Sequence, residues 1–185
     1  LSLWATGVLG LDEALAGFGD PTVIFIASLF VVSEGLDATG VTSWAGQQMT
    51  ERVGGSRTRL LVAMMLLTAV LTALISVNGS VAALLPVVVV TAVRLGRPAS
   101  QLLLPLAFGA HAGSLLALTG TPVNVIVSEA AENAGGAPFG YLEFSLVGIP
   151  LLIGTVAITL LFGPRLLPRR TPKALPADLG AHART

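Results

Sequence analysis

All ten basic residues of this 185-residue chain fall into three clusters, with long apolar stretches between them. The clusters are Arg52, Arg57 and Arg59; Arg94 and Arg97; and Arg165, Arg169, Arg170, Lys173 and Arg184. The apolar stretches run from Leu60 to Ile75, Val81 to Val93, Gln101 to Leu118 and Ser145 to Gly163. Such runs suit a bilayer, where about 20 mainly apolar helical residues cross a hydrocarbon core of about 30 Å. Composition agrees: 54% of residues are hydrophobic and 11% charged, whereas a soluble domain carries about a quarter charged residues. The fold class is therefore all-α integral membrane, with a multi-pass chain expected in the cell membrane. Ten Lys and Arg balance ten Asp and Glu, which leaves no basic field for nucleic acid. The absence of Cys excludes a disulfide framework, a thiolate metal site and a cysteine nucleophile. Residue 1 is Leu and no basic n-region precedes a short apolar run, so the chain reads as a piece of a longer membrane protein.

Charge placement sets the expected topology. Residues 21–41, opened by Pro21 after the acidic Asp12, Glu13 and Asp20, read as a span running from the outside to the cytoplasm. Residues 42–56 are less apolar and read as an interfacial helix. Residues 58–95 form two apolar arms around the polar turn Ser76-Val77-Asn78-Gly79-Ser80, with arginines at both outer ends. Both ends then face the cytoplasm. A re-entrant hairpin with its tip inside the membrane fits this, and so do two full spans with an external turn; the shortness of the arms favours the first. Residues 99–133 exceed one crossing and are interrupted at Thr119-Gly120-Thr121-Pro122-Val123-Asn124, where Gly120 frees the backbone and Pro122 removes a donor. A helix broken within the membrane and restarted at Pro122 is expected. Residues 134–140 read as loop and 141–164 as a returning span. The transmembrane region ends near residue 168, and residues 169–185 read as a flexible cytosolic tail or linker.

Non-helical backbone survives at membrane depth only where protein or a water-filled cavity supplies its hydrogen bonds. Two interruptions, each with an Asn beside a helix start, suggest a binding site. Unwound carbonyls and amide oxygens suit a small cation, and half-helix N-termini direct free N–H groups at an anion. The same residues also serve helix packing, and the pairing of two breaks favours a site. His111, between Gly109 and Gly113, is a proton-relay candidate, although an imidazole bonded to a backbone carbonyl is the simpler reading. Glu34 suits an interface or helix-end role. Ser114 near His111 hints at a hydrolase, but no acid partner or oxyanion arrangement accompanies it, and an enzyme is not expected.

Several segments resemble a known family. Ala16-Gly17-Phe18-Gly19-Asp20-Pro21, Phe30-Val31-Val32-Ser33-Glu34-Gly35-Leu36, Thr39-Gly40-Val41, Leu84-Leu85-Pro86-Val87 and Gly120-Thr121-Pro122-Val123-Asn124 together resemble the N-terminal half of the divalent anion:sodium symporters, within the ion transporter superfamily. The resemblance covers residues 1–168. It implies one of two inverted repeats, each holding a re-entrant hairpin and a broken helix that bind Na+ and part of the substrate. By the resemblance Asn78 matches the Asn of a Ser-Asn-Thr hairpin-tip motif, with Val77 and Gly79 standing where the Ser and Thr are expected. The stretch from Asn78 to Pro86 is one residue short, and Ser76 and Ser80 are the hydroxyls left to replace the missing ones. The family often inserts a TrkA-C regulatory segment after the first half, which here would begin after Arg169.

Together these readings give a cation-coupled carrier of a small anion, such as a dicarboxylate or sulfate. Ser76, Asn78, Gly79, Ser80 and Gly120 are the candidate cation residues. Asn78, Gly79, Thr121, Pro122 and Asn124 are the candidate substrate residues. No cofactor is implied beyond the coupling ion, Na+ or H+. The expected partners are the bilayer, a second repeat, the anion and a second copy in a homodimer. The alternative is a non-transporting membrane assembly or regulatory subunit.

Overall fold

The computed structural model describes residues 2–53 and 56–166, and their regular structure is entirely helical. Two short helices, α1 (Ser2–Ala5) and α2 (Leu11–Leu15), and a 3-10 turn at Ala16–Gly19 precede α3 (Pro21–Ala38). There follow α4 (Val41–Val53), α5 (Arg57–Leu74), α6 (Val77–Arg94), α7 (Ser100–Gly113), a 3-10 turn at Leu118–Gly120, α8 (Pro122–Asn133) and α9 (Ser145–Leu166). Local chemistry sets several of these ends. Asp20 accepts a hydrogen bond from the Thr22 N–H at 2.8 Å and Pro21 takes the first helical position, a start that uses no backbone donor at that residue. Gly96, at φ +59°, closes α6. Its own N–H reaches the Val93 carbonyl and that of Arg97 reaches Ala92, before Pro98 forbids continuation.

Helices α5, α6 and α9 are each long and apolar enough to cross a membrane. A fourth crossing is available if Leu11–Gly19 and Pro21–Leu36, bent by 42°, count as one span; that bend has no counterpart in the sequence reading. Each hairpin arm has 18 residues, which gives about 27 Å at 1.5 Å per residue. The arms are longer than their apolar stretches suggest, because Arg57, Arg59 and Arg94 are helical too. Arm length therefore does not separate a re-entrant hairpin from two full spans.

The core lies where α5, α6 and α7 meet. Leu60, Leu61, Met64, Leu71, Leu84, Val88, Leu102 and Leu106 are buried there. Helix α4 packs along both hairpin arms, with Thr42 and Gly46 buried and Trp44 exposed. A methyl group on Gly46 would stand 2.6 Å from a Leu84 methyl. The helix expected over 42–56 thus has one face against the hairpin; residues 54–55 of that expectation, and the tail expected over 169–185, lie outside the described residues. The last span begins at Ser145, after turns over 141–144.

The most extensive contact is α5 on α7, and it depends on glycine. A methyl on Gly109 would lie 2.9 Å from the Met65 Cα. One turn later a methyl on Gly113 would collide with the Ala69 backbone. The repeat shows that α5 and α7 run parallel and touch backbone to backbone, the approach that small residues four apart permit in membrane helices. Gly154, on α9, meets nothing within 4 Å. We expect Gly113→Val to destabilise the full-length protein by more than about 3 kcal/mol, as for overpacked cores. Gly154→Ala should leave the thermal midpoint in detergent unchanged or raised.

Candidate functional site

The hairpin tip is built from the end of α5 and the start of α6. Ser76 caps α6: its hydroxyl accepts from the Gly79 N–H at 3.2 Å and its carbonyl from the Ser80 N–H at 3.1 Å. Gly79 fits closely, since a methyl there would stand 2.9 Å from an Ile75 methyl. Ser80 is fully buried, hydrogen-bonded to the Thr72 hydroxyl and donating to the Val77 carbonyl. Its hydroxyl locks the two arms together. Asn78 is exposed in the first turn of α6 and its side chain has no hydrogen-bond partner among the described residues. The N–H groups of Val77 and Asn78 are likewise free of acceptors there, as the first donors of a helix are when no side chain caps them.

The break in the helix expected over 99–133 is wider than its turn residues suggest. Helix α7 ends at Gly113, and residues 114–121 are non-α-helical. Thr121 is the N-cap of α8, with Pro122 in its first turn and Asn124 already inside the helix. The apolar run to Leu118 does not continue as helix because Gly113 is held on the Ala69 backbone, and because Leu115 meets Gly148 of α9 backbone to backbone. Asn124 is buried, and its Nδ2 donates to the carbonyls of Ser114 at 2.8 Å and Ala117 at 2.9 Å. Its Oδ1 meets no donor among the described residues, and neither do the carbonyls of Leu118, Thr119 and Gly120. The Thr121 hydroxyl and the Val123 N–H are also unpartnered there. Gly120 is buried so tightly that a methyl would overlap the Ser114 carbonyl.

Thr119 brings the two interruptions together. Its hydroxyl donates to the Ala73 carbonyl in the last turn of α5 at 3.0 Å and is 2.9 Å from the Tyr141 hydroxyl. The carbonyl of Ile75, next along the same turn, accepts from the buried Ser33 hydroxyl of α3. Helix α3 and the break thus converge on the C-terminal end of α5, with Tyr141 bonded to Thr119 beside it. The connection 134–144 is tied over the break: Leu118 N–H to the Tyr141 carbonyl at 2.8 Å, and Phe139 N–H to the Ser128 hydroxyl at 2.9 Å. Ser145 donates to the Leu116 carbonyl. No hydrogen bond joins Asn78 to the break. Ser33, Tyr141 and Ser145 were not among the sequence candidates. Ser33 lies in a segment that carries the family resemblance, and Tyr141 and Ser145 open the returning span, but none had been given a role of its own.

His111 is exposed on α7, its Nδ1 2.9 Å from the Ala107 carbonyl. A carbonyl only accepts, so Nδ1 carries the proton. Ser114 donates its hydroxyl to the His111 carbonyl at 2.7 Å and makes no bond to the imidazole. No Lys or Arg occurs between Arg59 and Arg94 or between Arg97 and Arg165, so both interruptions sit in stretches without either side chain.

A model of the citrate transporter family matches residues 1–181. The chain is 34% identical over 148 residues to the uncharacterized transporter YfbS of Escherichia coli, covering 80% of this chain and 24% of that one. It is 27% identical over 168 residues to the uncharacterized transporter sll0640 of Synechocystis, covering 91% and 28%. It is 28% identical over 163 residues to the probable sodium/sulfate cotransporter 3 of Chlamydomonas reinhardtii, covering 83% and 18%. The chain spans about a quarter of the length of the first two relatives. No solved structure matches it.

The two asparagines should respond differently to alanine. Asn124→Ala leaves the buried Ser114 carbonyl without a donor, at about 1–3 kcal/mol, and removes one of two donors from the Ala117 carbonyl, which keeps the Gly120 N–H; it is expected to lower the thermal midpoint of the full-length protein. Asn78→Ala removes no internal bond and should leave the midpoint unchanged. Equal melting of Asn124→Ala and the unaltered protein would contradict the structural assignment of Asn124.

Proposed function

The chain belongs to the citrate transporter family, and on that premise we propose that the hairpin tip and the break form part of one site carrying a small anion, such as a dicarboxylate, citrate or sulfate, coupled to Na+ or H+. The hydrogen bond from Thr119 to the Ala73 carbonyl carries this reading, because it joins the unwound segment to the end of the hairpin arm. The Gly120 carbonyl and the Asn124 Oδ1 are the cation ligands in this proposal, with Ser76, Asn78 and Gly79 at the tip. The free N–H groups of Val77, Asn78 and Val123, the Asn78 side chain and the Thr121 hydroxyl receive the anion. Pro122 and Gly79 shape the two helix starts. Ser80 supports the tip from beneath, since its hydroxyl is already engaged.

Two helix N-termini attract negative charge, and with no Lys or Arg in these stretches the anion depends on those dipoles and on the co-bound cation. A relative named as a probable sodium/sulfate cotransporter makes Na+ the first ion to test. In the proposed assembly the hairpin is re-entrant, the basic ends face the cytoplasm, a second repeat supplies the rest of the site, and two copies form a dimer.

Uptake of labelled citrate, succinate and sulfate into proteoliposomes of the full-length protein tests this. Uptake should follow either a Na+ or a pH gradient, and Asn78→Ala should reduce it at least about tenfold, the worth of one charge-assisted hydrogen bond. His111→Gln should matter only if the pH gradient drives uptake. Folded protein that moves none of the three anions under either gradient would overturn the reading and favour a non-transporting assembly or regulatory subunit.

A further inference from the structure

At the basic end of the fold, far along α5 from the hairpin tip, one charged group is left without a partner. The Nη2 atom of Arg57 is buried and has no hydrogen-bond acceptor. A guanidinium nitrogen withdrawn from water in this way carries its full desolvation penalty until an acceptor arrives. The parallel packing of α5 and α7 sets which residue of α7 lies at its level. Gly109 faces Met65 and Gly113 faces Ala69, so the same register, followed two turns back along both helices, sets Gln101 level with Arg57.

Gln101 is only 7% exposed, and its carboxamide has no hydrogen-bond partner among the described residues. Neither carboxamide atom is fully enclosed, because Arg57 Nη2 is the one buried side-chain polar atom left unbonded. A deeply set donor that remains reachable thus lies level with a half-buried cation, one nitrogen of which is enclosed. Arg59, Arg94 and Arg97 occupy the adjoining helix ends, and none of them is ion-paired with a described acidic residue. The apolar core starts with Leu60 and Leu61, one turn from Arg57.

We propose that Arg57 and Gln101 form an oxyanion site that binds a phosphate group, from an anionic phospholipid headgroup or from inorganic phosphate. The guanidinium offers the fork of donors that matches phosphate oxygens, and the Gln101 amide adds a neutral donor. The site is separate from the tip and the break and does not depend on the transport reading.

The test uses the full-length protein in a neutral detergent, with thermal midpoint and native mass spectrometry as readouts. Phosphatidylglycerol should raise the midpoint and remain bound as a resolved adduct, while phosphatidylcholine should do neither. Arg57→Gln should weaken that adduct about tenfold, as expected for loss of one charge-assisted hydrogen bond. Gln101→Leu should weaken it less, and Arg59→Gln, which removes an exposed charge, should leave it nearly unchanged. Without lipid or phosphate, Arg57→Gln should melt at or above the unaltered protein, because it removes an unpaired charge with one enclosed nitrogen. Stabilisation by millimolar inorganic phosphate alone, lost in Arg57→Gln, would support the site with a soluble source. Equal loss of lipid in Arg57→Gln and Arg59→Gln, or no response to either probe, would overturn it. A lower midpoint for ligand-free Arg57→Gln would also overturn it, by revealing an internal partner for Arg57.

Discussion

A backbone carbonyl within a hydrocarbon layer must find a donor or line a cavity, since each unsatisfied group there costs several kcal/mol. The rest of this structure is arranged around that requirement at two places, the end of α5 and the stretch between α7 and α8. Ser33 serves the Ile75 carbonyl and Thr119 that of Ala73. Asn124 serves Ser114 and Ala117, and Ser145 serves Leu116. Four side chains from four segments therefore hold two interruptions in place. The carbonyls of Leu118, Thr119 and Gly120, left without donors among the described residues, are the ones available to a ligand.

This arrangement needs helices that approach closely. Gly109 and Gly113 let α7 lie against the α5 backbone, and Gly148 lets α9 meet Leu115. Without those contacts Thr119 would not reach Ala73. Packing and site are thus coupled through a few glycines, with α5 common to both. Helix α9, in contrast, exposes Leu146, Val147, Ile153 and Leu161 along its length, as expected of a helix whose outer faces meet lipid or further protein.

Much of the helical order was legible from charge placement and apolar length. The helices opened by Pro21 and Ser145, the hairpin around Ser76 to Ser80 and the restart at Pro122 all announce themselves by local chemistry. The true start of the break did not. Ser114 to Leu118 is as apolar as the helix before it, and only its contacts with α5 and α9 unwind it. Ser33 and Ser145 were also hidden, because a lone hydroxyl in an apolar helix carries no local mark of the distant carbonyl it serves. Asn124 was legible as important, but its amide nitrogen is occupied in holding the break, and only its oxygen remains for a ligand. The reading of Ser80 as a cation residue missed Thr72, one arm away and on the same level.

The junction between the hairpin and the break can be tested by cross-linking. In an otherwise cysteine-free full-length protein, cysteines replacing Ala73 and Thr119 lie within the span of a short bifunctional thiol reagent, because the Thr119 hydroxyl reaches the Ala73 backbone carbonyl at 3.0 Å. Such a reagent should join them, as judged by loss of thiol labelling at both positions. Two freely labelled thiols after that treatment, in protein that still melts cooperatively, would separate the hairpin from the break and contradict the shared site.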